Sequence, residues 1–167
     1  MSALTSQLTE VRKDNTLLKG TDISVIYGAT GVMEDELKIR FYFRVEEGKY
    51  NDFRVKVAYG DTELMLTPAE LEEAGGADGV KFYRYTVEDL NQKDYAEAIT
   101  VTAVECTTTT TGEGEEAVTT TTEKMLATVT DTIAAYAARL YSANGGQRAA
   151  MADAMILYGM AAKAMGK

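Results

Sequence analysis

A chain of 167 residues is the size of one domain, and with 46% of its residues apolar it can fill a core. The formal net charge of −9 argues against nucleic acid and anionic membranes as main partners, because phosphate recognition draws on clustered Lys and Arg. With no His, Ser–His and Cys–His dyads and His-ligated zinc sites cannot be built; with one cysteine, Cys106, there is no internal disulfide.

Taken from its start, the chain opens on a polar stretch, 1–20, which reads as a linker or lead-in segment with a short helical piece around Leu4 to Lys13. It lacks the apolar stretch of a signal peptide, so export would require a signal elsewhere. No apolar run approaches the roughly 20 residues of a membrane helix, and no membrane insertion is expected. Residues 21–167 read as one domain, β-rich over 21–130 and helical over 131–167.

Thr21 to Tyr27 alternates and predicts a first strand ending at Gly28, with Ala29 to Glu34 as a turn. Asp35 to Val45 is the clearest strand: Leu37, Ile39, Phe41, Phe43 and Val45 fall on one face, Lys38, Arg40, Tyr42 and Arg44 on the other. Glu46 to Asp52 reads as a hairpin loop. Phe53, Val55, Val57 and Tyr59 then alternate with Arg54 and Lys56 as the return strand. Gly60-Asp61 is a tight turn, and Glu63 to Leu66 a short strand. Thr67-Pro68-Ala69-Glu70 has the form of a capped helical start, which Gly75-Gly76 ends.

Val80 to Val87 is a further strand, and Glu88 to Tyr95 a polar connection. Glu97 to Thr111 and Glu115 to Thr130 predict a long hairpin around Gly112-Glu113-Gly114. The threonine runs Thr107–Thr111 and Thr119–Thr122 suit a solvent-exposed ribbon of facing Thr pairs; a flexible stalk or glycosylated tip and a ligand-binding Thr array are the alternatives. A helix follows from Thr132 to Ala143, with Ile133, Tyr136, Ala137, Leu140 and Tyr141 on one face. Asn144-Gly145-Gly146 breaks it. A second helix runs from Gln147 to Met165, with Met151, Met155, Tyr158 and Ala162 as its core stripe, widened by Ala154 and Ala161.

The Tyr136-Ala137 pair, the polar break at Asn144-Gly145-Gly146 and Ala154-Met155-Ile156-Leu157-Tyr158-Gly159 followed by Ala161 and Ala162 carry a resemblance. They resemble an uncharacterised C-terminal accessory module of large secreted and surface-attached proteins from gut and rumen Clostridia, Ruminococcus relatives among them. Leu157 stands where that pattern often has Asn. Leu37 to Phe43, Phe82 to Val87 and Ala98 to Val101 resemble the module's strands, so the likeness spans roughly 21–167. It implies an extracellular or cell-surface location, a non-catalytic role beside other modules of the same polypeptide, and no cofactor.

The residues themselves nominate one binding surface and no catalytic or metal site. If the two long strands pair, Lys38, Arg40, Tyr42, Arg44, Arg54 and Lys56 form a basic-aromatic patch on an acidic protein, suited to carboxylates, sulfates or sugar hydroxyls. The bland alternative is a sheet face whose charges are balanced by neighbouring acids. The carboxylate runs Glu113, Glu115, Glu116 and Glu70, Glu72, Glu73 lack calcium-loop spacing and read as solvated charge. Gly28-Ala29-Thr30-Gly31 has neither phosphate-loop spacing.

The sequence therefore predicts an α+β domain: an antiparallel, sandwich-like sheet of about seven strands closed by a C-terminal two-helix hairpin. Its core should include Ile39, Phe41, Phe43, Val55, Val57, Tyr136, Leu140, Met155 and Tyr158. The functional expectation is a binding or adhesion module that recognises an extracellular glycan or a host protein. A spacer without a ligand is the alternative.

Overall fold

In the computed structural model, residues 24–33, 37–112, 118–144 and 146–166 are described. The lead-in segment 1–20 and the carboxylate run 113–116 lie outside them. Among the described residues, eight strands form two antiparallel four-stranded sheets: β1 (Ile26–Met33), β2 (Leu37–Glu46), β3 (Phe53–Tyr59), β4 (Thr62–Leu66), β5 (Glu72–Ala77), β6 (Val80–Leu90), β7 (Ile99–Thr111) and β8 (Val118–Asp131). The first sheet has the order β1-β2-β6-β5 and the second β4-β3-β7-β8. Two helices follow β8, α1 (Ile133–Asn144) and α2 (Gly146–Ala164). The α+β sandwich class is as the sequence predicts.

The period-two alternation of β2 and β3 does what it should. Ile39, Phe41 and Phe43 from the first sheet meet Val55, Val57, Val101 and Val129 from the second in one buried core. These side chains are almost wholly removed from water, and burying each contributes about 1.5–3 kcal/mol. Val87 of β6 and Ile99 of β7 extend the same layer.

Three details depart from the sequence reading. The pair β2–β3 is no hairpin: β2 pairs with β1 and β6, and β3 with β4 and β7. Both strands have one apolar face, and facing each other across the core buries both faces at once, whereas pairing side by side would leave both in need of cover. The 47–52 connection carries the chain between sheets, turning at Gly48 with φ 73° and bonding Glu47 N–H to the Gly79 carbonyl at 2.7 Å.

Next, Ala29 to Met33 belongs to β1 rather than to a turn, and Gly75-Gly76 sits inside β5 rather than ending a helical turn. Both are edge strands, where glycine costs some entropy but interrupts pairing on one side only. At Gly76 a side chain would be harmful: an added Cβ would stand 2.8 Å from the Val80 carbonyl. The Pro68–Glu70 turn is a single 3-10 turn, closed by Glu70 accepting the Thr67 N–H at 2.8 Å.

Finally, α2 is rotated about its axis relative to the expected stripe. Ala152, Ile156, Gly159 and Met160 are buried; Met151 and Tyr158 are exposed, Tyr158 by 59%, and Met155 and Ala162 are only half-buried. Tyr136 is half-buried, and the side chain of Leu140 lies outside the described residues. The helices meet at a small cluster of Ala137, Ala152, Ile156 and Met160, to which Tyr95 and Met155 connect the main core.

The helical pair is joined to the sandwich at the end where β6 stops and β8 finishes. The Thr132 hydroxyl caps α1 by accepting the Ala135 N–H at 2.9 Å. Asp131, fully buried, accepts the Thr132 N–H at 2.9 Å and holds Arg139 through both carboxylate oxygens. The Ala134 N–H reaches the Tyr95 carbonyl at 2.9 Å. At the other end, β7 and β8 continue past the last β3 partner as a two-stranded ribbon, exposed from Thr107 to Thr111 and from Val118 to Met125.

Candidate functional site

The six nominated residues occupy two opposite surfaces. Lys38, Arg40, Tyr42 and Arg44 alternate with the core residues of β2 and so line the outer face of the first sheet. Arg54 and Lys56 alternate with Phe53, Val55 and Val57 and line the outer face of the second. The single six-residue patch does not form, because the strands that carry it do not pair.

β6 supplies what the sequence reading missed. Across β2, Tyr42 stands opposite Arg84, Arg44 opposite Phe82 and Arg40 opposite Thr86. Arg84 in turn stands opposite Glu72 of β5. The alternation of Phe82, Arg84 and Thr86 against the buried Tyr83 and Val87 was visible in the sequence; the neighbourhood of β2 and β6 was not.

Most cations on this face have a carboxylate. Lys38 donates to Glu88 at 3.2 Å, Arg44 to Glu46 at 2.7 Å, and Arg84 to both oxygens of Glu72. The Arg84 guanidinium holds the Glu72 carboxyl below its ordinary range, with Arg40 adding to the effect, and Glu72 and the Tyr42 hydroxyl raise Arg84. Arg44 and then Lys49 do the same to Glu46. Arg40 differs: its Nε is buried and has no hydrogen-bond partner. A buried donor without an acceptor costs about 1–3 kcal/mol.

The outer face of the second sheet is electrically closed. Arg54 grips Asp52 with two bonds at 2.9 Å, and Lys56 pairs with Glu123. Beneath these side chains lies Cys106, whose thiol is raised above its ordinary value chiefly by burial. Beside them a shallow trough of about 470 Å³ runs over Ala58, Thr100 and Thr102, bounded by Leu64 and Met65. Its floor continues as hydroxyl pairs across β7 and β8: Thr100–Thr130 and Thr102–Thr128 at 3.0 Å, Thr108–Thr121 at 3.3 Å and Thr110–Thr119 at 3.2 Å. The last two are the facing pairs of the exposed ribbon; the first two are half-buried in the part of the sheet that β3 flanks.

Among the described residues no group of three or more Cys, Asp or Glu side chains is placed to hold a metal ion, and no helix is long and apolar enough to cross a membrane. Comparison with protein-family models, with curated proteins and with solved structures finds no match.

Proposed function

We propose that this chain is a non-catalytic binding module of a secreted or surface-attached bacterial protein. Its ligand is an acidic extracellular glycan, bearing carboxylate or sulfate groups, held on the outer face of the first sheet along Arg40, Tyr42 and Arg84. The reading is supported above all by Arg40, whose buried Nε lacks an acceptor, with Tyr42 two residues along its strand and Arg84 diagonally across on β6. A ligand oxyanion would satisfy it once the guanidinium turns outward to the surface, and a charge-assisted hydrogen bond of this kind contributes about 1.5–3 kcal/mol. Tyr42 adds a ring for stacking and a hydroxyl for sugar recognition. The extracellular setting is carried by the resemblance of the α1–α2 segment to surface-protein accessory modules.

A spacer without a ligand is the second reading. It is favoured by the carboxylates that already satisfy Lys38, Arg44 and Arg84.

A glycan array containing uronate, sialylated, sulfated and neutral members, run beside a pull-down from mucosal fluid, separates the readings. The binding reading expects saturable, salt-sensitive capture of acidic members, weakened more than ~10-fold by Arg40→Ala and unchanged by Arg54→Ala. Capture of proteins alone would change the ligand class, and silence in both assays supports the spacer.

A further inference from the structure

We infer that the outer face of α2 is a self-association surface, at which a second copy of this chain docks antiparallel about Tyr158.

The helix has two apolar faces. Ala152, Ile156 and Met160 are spent inside the molecule. On the other side Met151, Ala154 and Tyr158 are exposed, followed by half-buried Ala161 and exposed Met165. Their spacing of three and four residues is that of the contact positions of a coiled coil. Leu157 lies at the border of this stripe, 36% exposed, while Tyr158 and Met165 are 59% and 61% exposed. Asp153 and Lys163 each stand five residues from Tyr158, about 140° around the helix, so neither charge enters the stripe. A helix with two apolar faces normally has both covered, and among the described residues only the Ile156 face of this one is.

The choice of a second copy over a foreign partner comes from the arrangement of the stripe. A two-fold interface must match itself. About Tyr158 the helix is close to palindromic: Met151 and Met165 are each seven residues away, and Ala154 and Ala162 each four. An antiparallel pair therefore sets methionine on methionine, alanine on alanine and Tyr158 beside its counterpart, with opposed helix dipoles. The alanine rows allow close approach of the two backbones. Charge points the same way. Copies carrying −9 repel each other, and this stripe is where they can meet without bringing carboxylates together.

The contact is small. From Met151 to Met165 the stripe is ~21 Å long. It can bury about half or less of the ~800 Å² per partner of a standard interface. The dimer is accordingly weak, with a Kd on the order of 10 μM to 1 mM.

Sedimentation of the full chain from ~5 μM to ~1 mM tests this. The average mass should climb from one copy toward two, more steeply at high salt because screening relieves the repulsion. Tyr158→Glu should stay monomeric throughout, with its circular dichroism and dilute-solution melting unchanged; Met165→Lys, at the helix end, should do the same if Tyr158→Glu disturbs folding. Mixing Met151→Cys with Met165→Cys should give a cross-copy disulfide that neither forms alone. A wild-type chain monomeric at ~1 mM, variants that associate as strongly, or Met151→Cys cross-linking to itself would each overturn the inference.

Discussion

Asp131 and Arg139 form an ion pair with two bonds across the junction of β8 and α1, and the carboxylate has no exposure to solvent. A charge in that position is tolerable only because the guanidinium and the Thr132 N–H satisfy it. The pair fixes the direction in which α1 leaves the sheet, and with it the whole helical pair.

Arg139→Ala should therefore lower folding stability by about 3–5 kcal/mol, by leaving an unpaired buried carboxylate. Denaturant unfolding monitored by circular dichroism measures it. Adding Asp131→Asn to an Arg139→Met background should restore much of the loss. Equal destabilisation in both would mean that packing, not charge, governs this junction.

The orientation of α2 has its own check, made at low protein concentration. Ile156 is 1% exposed, and Ile156→Ala should cost about 2–5 kcal/mol. Tyr158→Ala should stay within about 0.5 kcal/mol, as surface substitutions do. The reverse order of effects would restore the stripe that spacing alone suggests.

Among the described residues, three carboxyls are held below their ordinary value of 4.5: Glu46 by Arg44 and Lys49, Glu70 by the Thr67 N–H, and Glu72 by Arg84. Below 4.5 the unfolded chain takes up protons that the folded chain still refuses, so their stabilisation is present above that pH and fades as pH falls through the folded values. Melting temperature should thus decline with acidification beneath about 4.5, and Glu72→Gln should flatten the decline. A Glu72→Gln profile parallel to that of the unaltered chain would refute its share.

Amide hydrogen exchange should divide β7 and β8 in two. Val101 and Val129 lie in the core-backed part, whereas Thr108 to Thr110 and Thr119 to Thr121 pair only with each other. A two-stranded ribbon in water is marginal. The ribbon amides should exchange ~100-fold or more faster than those of Val101 and Val129, and uniform protection along both strands would contradict this.

The sequence was most legible where the backbone pattern is local. Nine residues of strict alternation defined β2, and Phe53, Val55 and Val57 defined β3, because a half-buried strand needs nothing but its own two faces. Which strand lies beside which is a property of the whole sandwich, and one-sided alternation is identical for a hairpin and for two strands facing across a core. That ambiguity scattered the nominated patch over two surfaces and hid Arg84. The helix α2 failed differently: with Met, Ala, Ile and Leu on nearly every side, no stripe is distinguished by hydrophobicity, and the Ala137 and Tyr95 surfaces that receive Ile156 are chosen by tertiary structure. Glycines misled in β1 and β5, since a sheet edge accepts residues that a central strand would reject.

The long β7 strand has one further consequence. Its thirteen residues rise ~40 Å, separating the hydroxyl-studded tip from the methyl-rich helix at the far pole. A second copy held at the helical pole would therefore sit a full strand length from the ribbon and would leave it untouched.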